Sequence, residues 1–363
     1  MIPQIRTKRL AYVHYQLPDI DQAAAFLKDF GMIEASRSGS KIYYRGFDTQ
    51  PYIYIAEQSP THERKFLGGT WVVESAQDLE TAARHPQATP IRDNDGPGGG
   101  KVVTIKDPNG MLVSFISGQA PRVRDGEDEI NRRASGERAV PINSPLKTTR
   151  VGQFQRFKPG PSPVFKLGHY GYIVPKNRYE ETVAWYRELM NVTPSDIVYD
   201  PATGKDQSVF LHIDKGLDYS DHHSLFFAAG PEEEPTHVHH SSFEVNDFDT
   251  QSLGHYWLQE KGYTNCWGIG RHVLGSQIFD YWFDASGNIV EHYSDSDLVN
   301  MNSAVTREPA AHDTLHVWGP NVPLAFVTAN MADAKPNLRV PDPRVVMKGE
   351  ENGANEVKHE ANA

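Results

Sequence analysis

The sequence predicts an α+β fold of two domains, each built from a pair of βαβββ modules, and three recurrences within the chain predict it. A strand ending in an aliphatic-Pro pair leads into a helix twice, as YVHYQLPDIDQAAAFLKDFGM at 12–32 and as HYGYIVPKNRYEETVAWYRELM at 169–190. Near the end of each half a turn feeds a last strand, DPNGMLVSF at 107–115 and DASGNIVEH at 284–292. Each half also has a middle strand, GGTWVVES at 68–75 and HHSSFEVND at 239–247, opening its second module.

In order along the chain, residues 1–117 read as the first domain, with short alternating apolar runs and one helix over Asp19 to Phe30, where Ala23, Phe26, Leu27 and Phe30 share a face. Residues 118–162 are polar and broken by Pro and Gly, so they read as a linker. The second domain occupies 163–298, with a helix from Tyr179 to Met190 whose Val183, Tyr186 and Leu189 recur at helical spacing. Residues 299–363 are polar and rich in Pro, Ala, Asn and Glu, and form a C-terminal extension expected to be partly disordered or wrapped on the surface.

Composition narrows the function. A length of 363 residues with 38% hydrophobic content is enough to bury two ordinary cores. A net charge of -11 argues against nucleic acid or an anionic membrane surface as partner. No apolar run approaches the roughly 20 residues of a membrane span. The N-terminus lacks the charged-then-apolar order of a signal peptide, and Cys266 is the single cysteine, so a reducing, cytoplasmic setting is expected. The glycine run at 96–100 has no preceding buried strand and following helix, so it reads as a turn and not as a phosphate loop.

The residues with chemical reach cluster in the second half. His169 in KLGHYGYIVP, His239 and His240 in VHHSSFEV, and Glu291 and His292 in GNIVEHYSD all sit on strand-like segments. Two imidazoles and one carboxylate form the face that Fe(II) uses when it keeps positions open for substrate and dioxygen. Adjacent strand residues face opposite ways, so each doublet offers two options. Module register favours His240, which precedes Val245 by the five positions that separate His169 from Val174. Between Glu291 and His292 the pattern alone does not choose.

With these motifs in place, residues 8 to 298 resemble the type I extradiol ring-cleavage dioxygenases of the vicinal oxygen chelate superfamily, the motif match lying in the second half. The resemblance implies paired βαβββ modules curled into a cup-like mixed sheet, with metal in the C-terminal cup only. It makes His169, His240 and Glu291 the ligands of Fe(II), with Mn(II) as the alternative ion and O2 as co-substrate. By hand alignment the first-half counterparts are Tyr12, the Gly68/Gly69 pair and Ser114, which leaves the N-terminal cup metal-free. The resemblance also makes His223, with His222 as alternative, the acid/base. His272 and Tyr281 become hydrogen-bond donors to the substrate. Arg271, Phe210 and His212 become further substrate-side residues. The implied reaction opens the ring of a substituted catechol or trihydroxylated aromatic with insertion of both oxygen atoms, in a homodimer or homotetramer. The ligand gaps, 240 − 169 = 71 and 291 − 240 = 51, are shorter than in the related hydroxyphenylpyruvate dioxygenases. The rival readings are a metal-dependent isomerase or lyase of the same superfamily, which oxygen consumption separates, and a 4-hydroxyphenylpyruvate dioxygenase-like oxygenase.

Overall fold

The computed structural model describes residues 3–126, 152, 157–311 and 315–334, so most of the expected linker and the end of the extension fall outside the described residues. The first eight strands are β1 (Thr7–Leu17), β2 (Ile33–Ser38), β3 (Lys41–Arg45), β4 (Tyr54–Gln58), β5 (Lys65–Val73), β6 (Arg92–Asp93), β7 (Lys101–Lys106) and β8 (Leu112–Ser117). They form one mixed sheet in the order β2-β3-β4-β1-β5-β8-β7-β6. The next eleven are β9 (Val164–Pro175), β10 (Val192–Tyr199), β11 (Asp206–Ile213), β12 (Ser220–Asp221), β13 (Leu225–Gly230), β14 (His237–Val245), β15 (Asn265–Arg271), β16 (Ile278–Phe283), β17 (Ile289–Ser294), β18 (Leu298–Val299) and β19 (Thr306–Pro309). Nine of these make a second sheet, β15-β16-β17-β14-β9-β13-β11-β10-β19, while β12 pairs with β18.

Helices α1 (Ile20–Asp29), α2 (Ala76–Ala83), α3 (Tyr179–Leu189) and α4 (Phe248–Glu260) each follow the first strand of a module, giving four βαβββ units in two curled sheets. Local chemistry sets their ends. Asp19 caps α1 by accepting from the Asp21 and Gln22 amides, and Ser75 and Asp78 form a reciprocal capping box on α2. Among the described residues no helix is long and apolar enough to cross a membrane.

A layer of aromatic side chains joins the two sheets. Tyr15, Phe66, Trp71, Tyr170 and Tyr172 are buried in one core that spans both halves. Trp71 Nε1 donates to the Tyr170 hydroxyl at 3.1 Å, and the Tyr15 hydroxyl meets Ser241 Oγ at 2.7 Å, so these two phenols enter the core with partners. Gly69 makes the close approach feasible, because a Cβ there would lie 2.2 Å from the Tyr170 ring. Strand alternation then sends Tyr170 and Ser241 to this joint and their neighbours His169, His240 and Ser242 to the other face.

Candidate metal centre and cavity

His169 on β9, His240 on β14 and Glu291 on β17 converge on the inner face of the second sheet. His169 Nε2 lies 3.1 Å from His240 Nε2 and 3.2 Å from Glu291 Oε2, and His240 Nε2 is 3.6 Å from that oxygen. The strands register around Ser242, which pairs with His169 on one side and with Glu291 on the other. In the first sheet Thr70 pairs with Tyr12 and with Ser114 in the same way. The positions equivalent to the triad are thus Tyr12, Gly68 and Ser114. Gly171 keeps β9 close to β13, since a Cβ there would fall 2.1 Å from the Phe226 ring.

The chemistry of this donor set fits a divalent ion. Glu291 is fully buried, yet neither carboxylate oxygen has a hydrogen-bond partner, and His169 Nδ1 has none either. Burying a carboxylate without compensation is costly. Three donors each roughly 2.0–2.2 Å from one ion stand about 3 Å apart when adjacent. Among the described residues these three form the one such group whose ligand atoms lie within 4.8 Å of one another.

Neighbouring bonds fix which imidazole nitrogen faces the centre. His239 Nε2 is 2.7 Å from the Phe326 carbonyl, which can only accept, so that nitrogen carries the hydrogen. His239 Nδ1 therefore accepts from His240 Nδ1 at 2.7 Å, leaving His240 Nε2 bare toward Glu291. Burial, then the neighbouring imidazoles, hold His240 well below the ordinary histidine value. His292 turns away from the centre, reaches the Phe30 carbonyl at 2.7 Å and stacks on the Phe30 ring.

A cavity of about 350 Å³ opens beside the triad, walled by Ile173, Phe210, Phe226, Leu315, Phe326 and Val327. His223 lines it, its ring 4.0 Å from that of His169 and 5.1 Å from Phe210. Burial, then His169, His222 and the other imidazoles, keeps His223 well below the usual value and therefore neutral. His222 points the other way, to Asp196. His272 and Tyr281, expected as donors to substrate, satisfy each other here. His272 Nδ1 donates to the Leu315 carbonyl at 2.6 Å, so its Nε2 accepts from the Tyr281 hydroxyl at 2.9 Å. Their free capacity toward the cavity is the phenol oxygen's lone pairs.

Two expected wall residues stand elsewhere. Arg271 pairs with Asp295 at 2.7 Å and donates to the Ser276 carbonyl at 2.6 Å, which commits its charge outside the cavity. His212 shares its strand face with Phe210 but lies beyond it, meeting Ser195 Oγ at 2.7 Å in a neighbouring cavity. Sequence reasoning missed the extension's part. Thr306 donates to Asp196, the Leu315 and Phe326 carbonyls hold His272 and His239, and β19 adds to β10 in parallel.

Acid stability follows from the buried imidazoles. Burial pushes His239 and His292 down to about 4 from an ordinary 6.5. The unfolded chain binds these protons more readily, so their contribution is complete above pH 6.5 and is lost as pH falls from 6.5 toward 4. Chelator-treated protein is expected to lose on the order of 2–4 kcal/mol between pH 7 and pH 5 in urea titrations. An unchanged midpoint would show that the rings are not buried neutral.

A model of the Glyoxalase/Bleomycin resistance protein/Dioxygenase superfamily matches residues 166–292, a span that holds all three converging side chains. The match covers about a third of the chain, within its second half. Metapyrocatechase 2 of Cupriavidus necator is 29% identical over 223 residues, 61% of this chain and 61% of that protein, so the match spans less than two thirds of the relative's length. Among solved structures, homoprotocatechuate 2,3-dioxygenase from Arthrobacter globiformis superposes with a TM-score of 0.70 at 16% identity, covering 93% of this chain and 97% of the other. The Mn(II)-bound glyoxalase from Novosphingobium aromaticivorans gives a TM-score of 0.70 at 17% identity, covering 93% of this chain and 96% of that one. At such identities these structures establish the fold alone, α+β with two curled sheets.

Proposed function

We propose that this protein is an extradiol ring-cleaving dioxygenase that holds Fe(II), or Mn(II) in its place, on His169, His240 and Glu291. In this reading residues 1–117 form a metal-free domain, 163–298 the catalytic one, and the enzyme works in the cytoplasm as a homo-oligomer. The observation that carries the reading is a buried carboxylate without a hydrogen-bond partner, facing two imidazole nitrogens beside an aromatic-walled cavity. Metapyrocatechase 2, by name a catechol-acting relative, supports the same class.

When bound, the ion supplies positive charge that acidifies a chelated hydroxyl and a redox centre through which dioxygen reacts. The chain's own residues do the rest. His223, neutral and beside the triad, accepts a substrate hydroxyl proton and later returns it. Phe210 and Phe226 flank the space above the triad, where they hold an aromatic ring and exclude water. The Tyr281 oxygen, its hydrogen given to His272, accepts a hydrogen bond from a substrate hydroxyl.

No Lys or Arg lines the cavity among the described residues. A carboxylate on the substrate would be buried there unpaired. Protein loaded anaerobically with Fe(II) is therefore expected to consume oxygen with catechol and alkylcatechols, with ring-opened product absorbance rising in step. Its kcat/KM for them should exceed that for 3,4-dihydroxyphenylacetate by at least about tenfold. No oxygen uptake with any diol would overturn the dioxygenase reading. The likeness to a Mn(II)-bound glyoxalase favours one second reading, a metal-dependent isomerase or lyase, which would turn over without oxygen.

A further inference from the structure

We propose that Asp196 and His222 are positioning residues that hold His223 in the tautomer with its Nε2 lone pair facing the cavity. The inference rests on His223 being the base of the proposed reaction. Asp196 Oδ2 lies 2.7 Å from His222 Nε2, and His222 Nδ1 lies 3.0 Å from His223 Nδ1. A carboxylate only accepts, so His222 Nε2 carries a hydrogen, and with a single proton on that ring its Nδ1 is a lone pair. The hydrogen between the two Nδ1 atoms then belongs to His223, whose Nε2 is left bare. The arrangement repeats the one around the metal ligand, where the Phe326 carbonyl and His239 leave His240 Nε2 bare. In both histidine doublets the first ring holds the second.

The chain of bonds is anchored at its far end. Thr306 Oγ1 donates to the other Asp196 oxygen. Ser195 Oγ accepts from His212 Nδ1 at 2.7 Å and donates to the His222 carbonyl, fixing the backbone that carries the doublet. Asp196, His212 and His222 are each buried. Burial alone would raise the Asp196 carboxyl, but the bonds from His222 and Thr306 outweigh it and hold the group below its ordinary value, as an anion.

Asp196→Asn inverts the chain. Thr306 keeps the amide oxygen on its own side, so the amide nitrogen donates to His222 Nε2, the His222 hydrogen moves to Nδ1, and the His223 hydrogen moves to Nε2, where it blocks the base. The test is a two-bond 1H–15N correlation of the imidazoles in metal-free protein, paired with kinetics of the Fe(II)-loaded enzyme. Wild type is expected to show His222 as the Nε2–H and His223 as the Nδ1–H tautomer. Asp196→Asn is expected to show the reverse, with kcat lowered about 10–100-fold while KM and metal content stay within about twofold. Thr306→Val, which keeps the charge but frees the carboxylate, is expected to cost a smaller factor and covers the case in which Asp196→Asn does not fold. A wild-type His223 with its hydrogen on Nε2, or an Asp196→Asn enzyme with unchanged kcat, overturns the proposal. Wild type that consumes no oxygen with any catechol overturns the functional reading instead, and the tautomers of the metal-free protein still decide the positioning.

Discussion

Glu291→Gln protein is expected to emerge from anaerobic loading with Fe(II) carrying less than about a tenth of the metal held by wild type, and to show no measurable ring cleavage. The carboxylate is fully buried between two imidazoles, and no Lys or Arg is paired with it among the described residues. An amide keeps the shape and loses the charge. It also removes an unpaired anion from a dry site, so the metal-free variant should melt no lower than metal-free wild type. This combination, metal lost and fold kept, separates a ligand from a core residue. Elemental analysis after desalting and a thermal melt check it. A variant that keeps a full complement of iron would remove Glu291 from the ligand set.

His223→Phe is expected to do the opposite: to retain iron at the wild-type level and lose roughly 10²–10⁴ in kcat. The ring sits against His169 and Phe210 inside the cavity. Phenylalanine fills the same space and carries no proton. If iron is lost with activity, His223 is a ligand and the triad is misassigned. If activity persists, the proton leaves by another group, with Tyr281 a candidate on the cavity wall.

Much of the architecture was legible because it repeats. The strand-Pro-helix and turn-strand pairs named four modules, and Asp19 marked the start of α1 as any N-cap would. The α4 helix left a weaker trace, since Gly254 interrupts its pattern and its buried face includes Gln251. The candidate site was legible where it depends on side-chain type at a repeated position, as for His169, His240 and Glu291. It was illegible where main-chain carbonyls act. Nothing in the sequence says that Leu315 and Phe326 present oxygens to His272 and His239, because every residue has a carbonyl. Asp196 and Thr306 were hidden for a related reason. They meet across 110 residues on adjacent strands, and the extension holding Thr306 has the composition of a loose tail. Arg271 and His212 show the converse, residues of suggestive type whose partners lie outside the cavity.

Isotope labelling with 18O2 tests the central claim most directly. Fe(II)-loaded protein turning over an alkylcatechol under 18O2 is expected to give a ring-opened product four mass units heavier, with both atoms of one oxygen molecule retained apart from slow exchange with water. Product carrying no label, or an isomer of the substrate formed with no oxygen consumed, would contradict the account.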